Sequence, residues 1–261
     1  MSRPPRIIAV ANQKGGVGKT TTAVSLSAAL VQRGLAVLLV DLDPQGNATS
    51  ALGLWGTPPP HLYSALIEER PLEEALRHSD EGVVVAPSSP DLAGAEVEMV
   101  GLLARESRLR LALQPVLERF DYAIIDCPPS LGLLTINALS AAREVLVPVQ
   151  CEYLALEGLG LLTETIERVR RHLNPELRLA YLLLTMYDAR THLAREVVAE
   201  VRRHFPQTFQ VIVPRNVRLA EAPSHGQSIF RYAPGSPASA AYAEVAAELL
   251  ARAAAGERVS A

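Results

Sequence analysis

The sequence predicts an α/β protein: a mostly parallel, doubly wound sheet of about seven strands, with helices on both faces. Three observations carry this expectation. Short runs of apolar, β-branched residues recur along the chain with little internal polarity, the pattern of strands buried on both faces. Stretches with helical spacing separate these runs. Glycine, proline and acidic residues punctuate the junctions. Composition agrees: of 261 residues, 49% are hydrophobic and 20% charged, which excludes a disordered chain, a collagen and a coiled coil. A chain of this length buries enough surface to fold without disulfide or metal staples.

The elements follow in order. Arg6 to Ala11 (RIIAVA) is a buried strand, bounded by Asn12 and running into Gly15, Gly16 and Gly18. Thr20 to Arg33 spaces Val24, Leu26, Ala29, Leu30 and Val31 as a helix does, and Gly34 closes it. Leu35 to Val40 (LAVLLV) is a second buried strand that delivers Asp41 and Asp43 at its C-terminal end. Trp55 to Pro60 (WGTPPP) is an exposed loop. Leu62 to Arg77 reads as one helix bearing Glu68, Glu69, Glu73 and Glu74. Val83 to Ala86 is a short strand, Pro87 to Pro90 a turn, and Ala95 to Phe120 helical with one break. Tyr122 to Ile125 is a strand ending at Asp126, and Val145 to Val149 is another. An amphipathic helix over Leu156 to Leu173 precedes a strand over Leu179 to Thr185. A helix over Leu193 to Phe205, a strand tip at Val211 to Val213 and an alanine-rich helix over Ser239 to Ala254 complete the chain.

No internal repeat and no dividing linker interrupts this order, so residues 1–261 are expected to form one domain. There is no apolar run of roughly 18 residues and no secretory signal at the start, which predicts a cytoplasmic protein. Cys127 and Cys151 form no metal-ligand pattern and read as inert thiols.

Charge is unevenly spread. The net charge is −3, yet residues 1–167 hold 12 basic and 20 acidic residues, whereas residues 168–231 hold 11 arginines and 5 acids. A mildly acidic protein with one basic third can bind a polyanion locally. A second count is sharper. Of the 25 basic residues only two are lysine, Lys14 and Lys19. A chain that uses arginine wherever a cation suffices has kept the compact, flexible ammonium at two places five residues apart.

Those lysines frame Lys14-Gly15-Gly16-Val17-Gly18-Lys19-Thr20, between a strand and a helix. This is the context of a phosphate-binding loop. The glycines let backbone N–H groups turn inward around phosphate oxygens, and the following helix adds its positive N-terminus. Lys19 reaches the β- and γ-phosphates, and the Thr20 hydroxyl completes a Mg²⁺ shell. The fold is therefore expected to be of the P-loop nucleoside-triphosphatase type. The strict pattern G-x-x-x-x-G-K-[ST] fails at Gln13, and Lys14 follows it.

That departure resembles the deviant loop of the MinD/ParA class of P-loop ATPases, in which the first lysine is the signature residue. Other stretches extend the likeness. VDLDPQGN over residues 40–47 resembles the first switch of the class, IIDCPPSLG over residues 124–132 its Walker B acid and second switch, and LTMYD (184–188) and IVPRNVRLAEAPS (212–224) the ParA/Soj branch. The resemblance covers about residues 6–250. It implies a Mg²⁺-dependent ATPase, weak without its partner, that segregates chromosomes or plasmids. It implies that ATP binds residues Lys14, Gly15, Gly16, Val17, Gly18, Lys19, Thr20 and Thr21, with Pro214, Arg215 and Asn216 beside the adenine. Lys14, Lys19 and Asp43 would be catalytic, Lys14 by crossing to a second subunit's nucleotide and Asp43 by orienting the attacking water. Thr20, Asp43 and Asp126 would serve the Mg²⁺ ion, directly or through water.

The resemblance further implies an ATP-dependent homodimer that binds double-stranded DNA nonspecifically, sits on the nucleoid and is reset by a ParB-type centromere-binding protein. Arg190, Arg195, Arg215, Arg218 and Arg231 are the expected DNA contacts, of the phosphate-neutralising kind. Because the phosphate loop starts at residue 14, no preceding helix-turn-helix domain is expected. Two other readings share the loop. A membrane-surface positioning ATPase of the MinD type would end in a basic amphipathic helix, and the tail here is alanine-rich and not basic. A metabolic P-loop ligase or kinase would lack the DLDPQGN and PRNVRLAEAPS segments in this form.

Overall fold

The computed structural model describes residues 4–152 and 157–260. Eight strands form one sheet: β1 (Arg6–Val10), β2 (Val37–Asp41), β3 (Arg77–His78), β4 (Val84–Ala86), β5 (Tyr122–Asp126), β6 (Glu144–Gln150), β7 (Arg178–Tyr187) and β8 (Thr208–Pro214). Their order across the sheet is β3-β4-β2-β5-β1-β6-β7-β8. Every neighbouring pair is parallel except β3 with β4.

Side chains alternate across the sheet. On β1, Ile7 and Ala9 face one core, and Ile8 and Val10 the other. On β5, Ala123 and Ile125 join the first core, Tyr122 and Ile124 the second. Helices 133–141 and 192–204 cover the first face through Leu134, Ala138, Leu139, Ala194 and Val201. Helix α1 (Lys19–Val31) and the final helix, Pro237–Ser260, cover the second through Ala23, Leu26, Leu30, Tyr242, Val245 and Leu249. Each large aliphatic side chain buried this way contributes about 1.5–3 kcal/mol of transfer free energy. A hydrogen bond of 3.1 Å between the Thr22 and Tyr242 hydroxyls satisfies both polar groups where the two helices meet. At the N-terminal ends of the strands, buried Glu144 is paired with Arg6 at 2.5 Å and Arg178 at 2.6 Å, so its charge is not left alone.

The structure departs from the sequence expectation in four places. The strand count is eight rather than seven, because Arg77–His78 forms a two-residue antiparallel edge strand. The helix predicted over Leu62 to Arg77 is two short helices, Leu62–Leu66 and Leu72–Ala75. Pro71 caps the second and disfavours the helical region for Arg70 before it, and the left-handed Glu69, φ +57°, turns the chain one residue earlier. The stretch from Ala95 to Phe120 breaks repeatedly into short α and 3₁₀ turns, with Ala104 at φ +52°. The strand tip at Val211 to Val213 is a full strand, β8, whose burial is partial because it lies at the sheet edge. The predicted start of the amphipathic helix, Leu156, and residues 1–3 lie outside the described residues; that helix is described over Glu157–His172.

The register positions the site. Val10 lies opposite Asp126 on one side of β5, and Asp41 lies opposite Asp126 on the other. The glycine loop after β1 and the two acidic strand ends therefore meet at the C-terminal edge of the sheet, the edge where parallel α/β sheets bind ligands.

Candidate functional site

The glycine loop spans the gap between β1 and α1. Gly16 has φ +71° and Gly18 φ +91°, conformations that L side chains rarely adopt. Gly18 caps α1, and Thr22 N–H donates to its carbonyl at 2.9 Å. Two buried residues outside the loop hold its shape. The Asn12 amide accepts from Lys14 N–H at 3.0 Å and donates to the Pro148 carbonyl at 2.8 Å. The Thr185 hydroxyl donates to the Val17 carbonyl at 2.9 Å. Neither was among the expected site residues; each stands in a segment marked from the sequence, but only the packing of β6 and β7 beside β1 reveals its task.

The two lysines point to different places. Lys19 is 6% exposed, and its Nζ donates to the Lys14 carbonyl at 3.1 Å. Burial lowers its pKa, against the pull of Asp126, Cys127 and Asp43, which favour the ammonium. The Lys14 side chain is 39% exposed and turns outward, its Nζ 3.9 Å from Glu152. Arg215 approaches the same Glu152 at 3.4 Å.

Two carboxylates, Asp126 and Asp43, face Lys19, and Asp41 neighbours Asp126; all three are buried. The Asp41 carboxylate accepts from the Thr49 hydroxyl and the Thr49 N–H, both at 2.7 Å, and from Asp43 N–H at 3.3 Å. Burial nevertheless pushes its pKa up to about 6. Asp126 is fully buried, and neither carboxylate oxygen has a hydrogen bond of good geometry. Burial, and then its neighbour Asp41, raise its pKa well above the usual carboxylate range, while Thr20 and Lys19 pull the other way. An orphaned buried carboxylate beside a threonine hydroxyl suits a hydrated cation that arrives with further ligands of its own. Among the described residues no group of three or more His, Cys, Asp or Glu could hold a metal by itself. The Cys127 thiol next door is buried and pushed up by that burial, hence inert.

A model of the AAA domain family matches residues 5–179. The chromosome partitioning protein ParA of Myxococcus xanthus is 53% identical, over 95% of this chain and 88% of its own length. The sporulation initiation inhibitor protein Soj of Bacillus subtilis is 50% identical, over 94% of this chain and 98% of its own. This chain belongs to the ParA/Soj family of chromosome-partitioning ATPases. Among solved structures, a Mycobacterium smegmatis protein named cobyrinic acid a,c-diamide synthase, with bound ADP and magnesium, matches with a TM-score of 0.86. It is 41% identical and covers 97% of this chain and 96% of that one.

The remaining residues expected of a ParA/Soj protein are placed as follows. Pro214 ends β8, and Arg215 N–H donates to the Tyr187 carbonyl at 2.9 Å, which sets the Pro214–Asn216 segment against the end of β7. The Asn216 side chain accepts from Arg218 N–H at 2.9 Å. A cavity of about 470 Å³ opens beside Thr20 and Thr21, walled by Asn47, Leu219, Pro223 and Gln227. The arginines expected to meet DNA are exposed, and four of the five are paired with carboxylates. Arg190 binds Asp188 at 2.7 Å, Arg215 binds Glu152 at 3.4 Å, Arg218 binds Glu221 at 2.9 Å and Arg231 binds Asp80 at 3.4 Å. Arg195 is exposed on helix 192–204. Exposed pairs of this kind hold little free energy, so a phosphate can displace the carboxylate. Arg190 and Arg215 lie after β7 and β8, whereas Arg231 pairs with the β3–β4 turn, at the opposite end of the strand order.

The tail bears on the membrane reading. Ala238, Ala241, Tyr242, Val245, Ala246 and Leu249 bury the apolar face of the final helix against the sheet. Among the described residues no helix is long and apolar enough to cross a membrane.

Proposed function

We propose that this ParA/Soj family member is a nucleotide-gated switch that binds DNA as an ATP-loaded dimer and releases it on hydrolysis. The observation that carries the reading is the divergence of the two lysines. Lys19 is buried and directed into its own loop, and Lys14 is directed out of it. A cation that leaves its own site is suited to the phosphates of a second subunit placed face to face.

In this reading the loop N–H groups and Lys19 hold the triphosphate, with Thr21 at its inner end and Pro214–Asn216 beside the base. Thr20 and, through water, Asp126 would hold Mg²⁺, which would supply charge neutralisation to the phosphates. Asp43 orients the water that attacks the γ-phosphate. Closure of the dimer aligns two arginine surfaces and doubles the phosphate contacts. A ParB-type protein at a centromere-like site stimulates hydrolysis, and the dimer opens. Cytoplasmic location and nucleoid association follow from the DNA contact.

Gly15 permits a clean test of the face-to-face dimer. A Cβ at this position meets nothing within 4 Å, and its φ is outside the left-handed region. The subunit itself leaves room for a Cβ here, so Gly15→Val is expected to fold and to crowd what lies across from it. The variant is expected to bind ATP with wild-type affinity and to sediment as a monomer. An ATP-induced dimer from Gly15→Val contradicts the face-to-face arrangement.

The DNA step is tested on a random-sequence duplex, with ADP and then with ATP under slow hydrolysis. Binding is expected with ATP alone. If each subunit neutralises about three phosphates, the log–log salt slope of the dimer is roughly −5. Arg218→Ala is expected to dimerise with ATP and to lose DNA at moderate salt. Binding by Arg218→Ala equal to wild type moves the contact elsewhere, and no binding by the wild type in either nucleotide state removes the DNA switch. Stimulation of turnover by a small-molecule acceptor would favour a metabolic ligase instead.

A further inference from the structure

We propose that Ser88 is a positioning residue for ATP hydrolysis, acting through the main chain of Asp43; the proposal rests on the reading of Asp43 as the residue that orients the attacking water. Ser88 follows β4, the strand that pairs in parallel with β2 with Val40 opposite Ala86, so the two chains leave the sheet side by side. Its side chain is 3% exposed, and its hydroxyl donates to the Asp43 carbonyl at 2.7 Å. The same carbonyl accepts from Gly46 N–H at 2.9 Å. Ser88 N–H donates to the Thr49 hydroxyl oxygen at 3.0 Å, and that hydroxyl donates to Asp41 at 2.7 Å. Asp43 N–H returns to Asp41 at 3.3 Å.

These bonds close a ring, Asp41–Thr49–Ser88–Asp43, all of it buried. Three of its members belong to one stretch of nine residues, 41–49. Ser88 alone comes from another strand end, and its hydroxyl ties the Asp43 carbonyl to the end of β4, while the Asp43 N–H is tied to Asp41 at the end of β2. The Asp43 carboxylate makes one hydrogen bond within the loop, accepting from Gln45 N–H at 3.0 Å. Its direction is therefore set by its main chain. A catalytic group displaced by a fraction of an ångström loses rate far more readily than the substrate loses affinity. The Ser88 side chain and N–H bond to Asp43 and Thr49 and not to the loop that holds phosphate, so its effect belongs on turnover.

The test is steady-state ATP hydrolysis by Ser88→Ala and Ser88→Thr, with melting temperature measured beside it. Loss of one buried hydrogen bond of this kind corresponds to about a tenfold fall in kcat. Ser88→Ala is expected to lose about tenfold in kcat with KM within about twofold of wild type. Ser88→Thr keeps the hydroxyl and is expected to restore most of the rate. Wild-type kcat in Ser88→Ala overturns the proposal. So does a joint loss of kcat, nucleotide affinity and melting temperature that Ser88→Thr does not rescue, because that is the signature of a general packing role. Asp43→Ala separates this from the reading beneath it. If Asp43→Ala stops turnover and Ser88→Ala does not slow it, the positioning proposal alone fails. If Asp43→Ala turns over normally, the water-orienting role of Asp43 fails, and the Ser88 proposal with it.

Discussion

Lys19→Ala is expected to abolish measurable ATP binding. The ammonium faces Asp126 and Asp43, and its Nζ rests on the Lys14 carbonyl, inside the loop where phosphate oxygens would lie. Two or more charge-assisted hydrogen bonds to phosphate are lost, each worth roughly 1.5–3 kcal/mol, so affinity should fall at least about 100-fold. The remaining buried carboxylates then repel the triphosphate without the ammonium to offset them. Lys19→Arg is expected to fail as well, since the planar guanidinium does not fit a loop closed around a compact ammonium. Calorimetric titration with ATP and Mg²⁺ decides the matter. Affinity within about threefold of wild type for Lys19→Ala would remove the loop from the nucleotide site.

The second large effect is Asp43→Ala. It is expected to keep ATP binding and to lower hydrolysis by about 100-fold or more, leaving a dimer that stays on DNA. The structure gives the reason for the split. Asp43 is 8% exposed at the C-terminal edge of β2, and its removal takes away one of three crowded carboxylates without touching the loop that holds phosphate. Binding affinity should therefore hold or improve slightly, because less negative charge opposes the triphosphate. Phosphate release in a single turnover, with DNA retention followed in parallel, checks both halves. Normal turnover would take Asp43 out of the chemistry and leave Asp41 as the next candidate, although Asp41 is already committed to Thr49 through two bonds of 2.7 Å.

How much of this was legible beforehand differs by element. The strands from Arg6, Leu35, Tyr122, Val145 and Leu179 were readable because each is a nearly unbroken apolar run, and β1, β2 and β5 are buried along almost their full length. The edge strand at Arg77–His78 was not, because two residues carry no period and its pairing with β4 is a matter of proximity. The segment from Leu62 to Arg77 looked like one helix because its charge pattern is helical. The chain instead turns at Glu69 and Pro71, so that Leu62, Leu66 and Leu72 reach one core. At the site, the loop was legible because its glycines and lysines are adjacent in sequence. Asn12, Thr185 and Ser88 were not, because an ordinary polar residue acquires its task only from what the fold sets beside it.

The sequence by itself determined the chemistry of the phosphate loop, the acidic strand ends and the layered α/β architecture, since these rest on residue type, spacing and hydrophobic period, all local properties. Only the tertiary structure decided that Lys19 turns inward and Lys14 outward, and that Asp126 is fully buried with no hydrogen bond of good geometry. The fold alone also decided that Arg215 meets Glu152, that Arg231 meets Asp80, and that Ser88 anchors Asp43. The burial of Asp126 and the bond from Ser88 to Asp43 are set by strands that lie far apart in the chain, which the parallel register of β1, β2, β4 and β5 brings together.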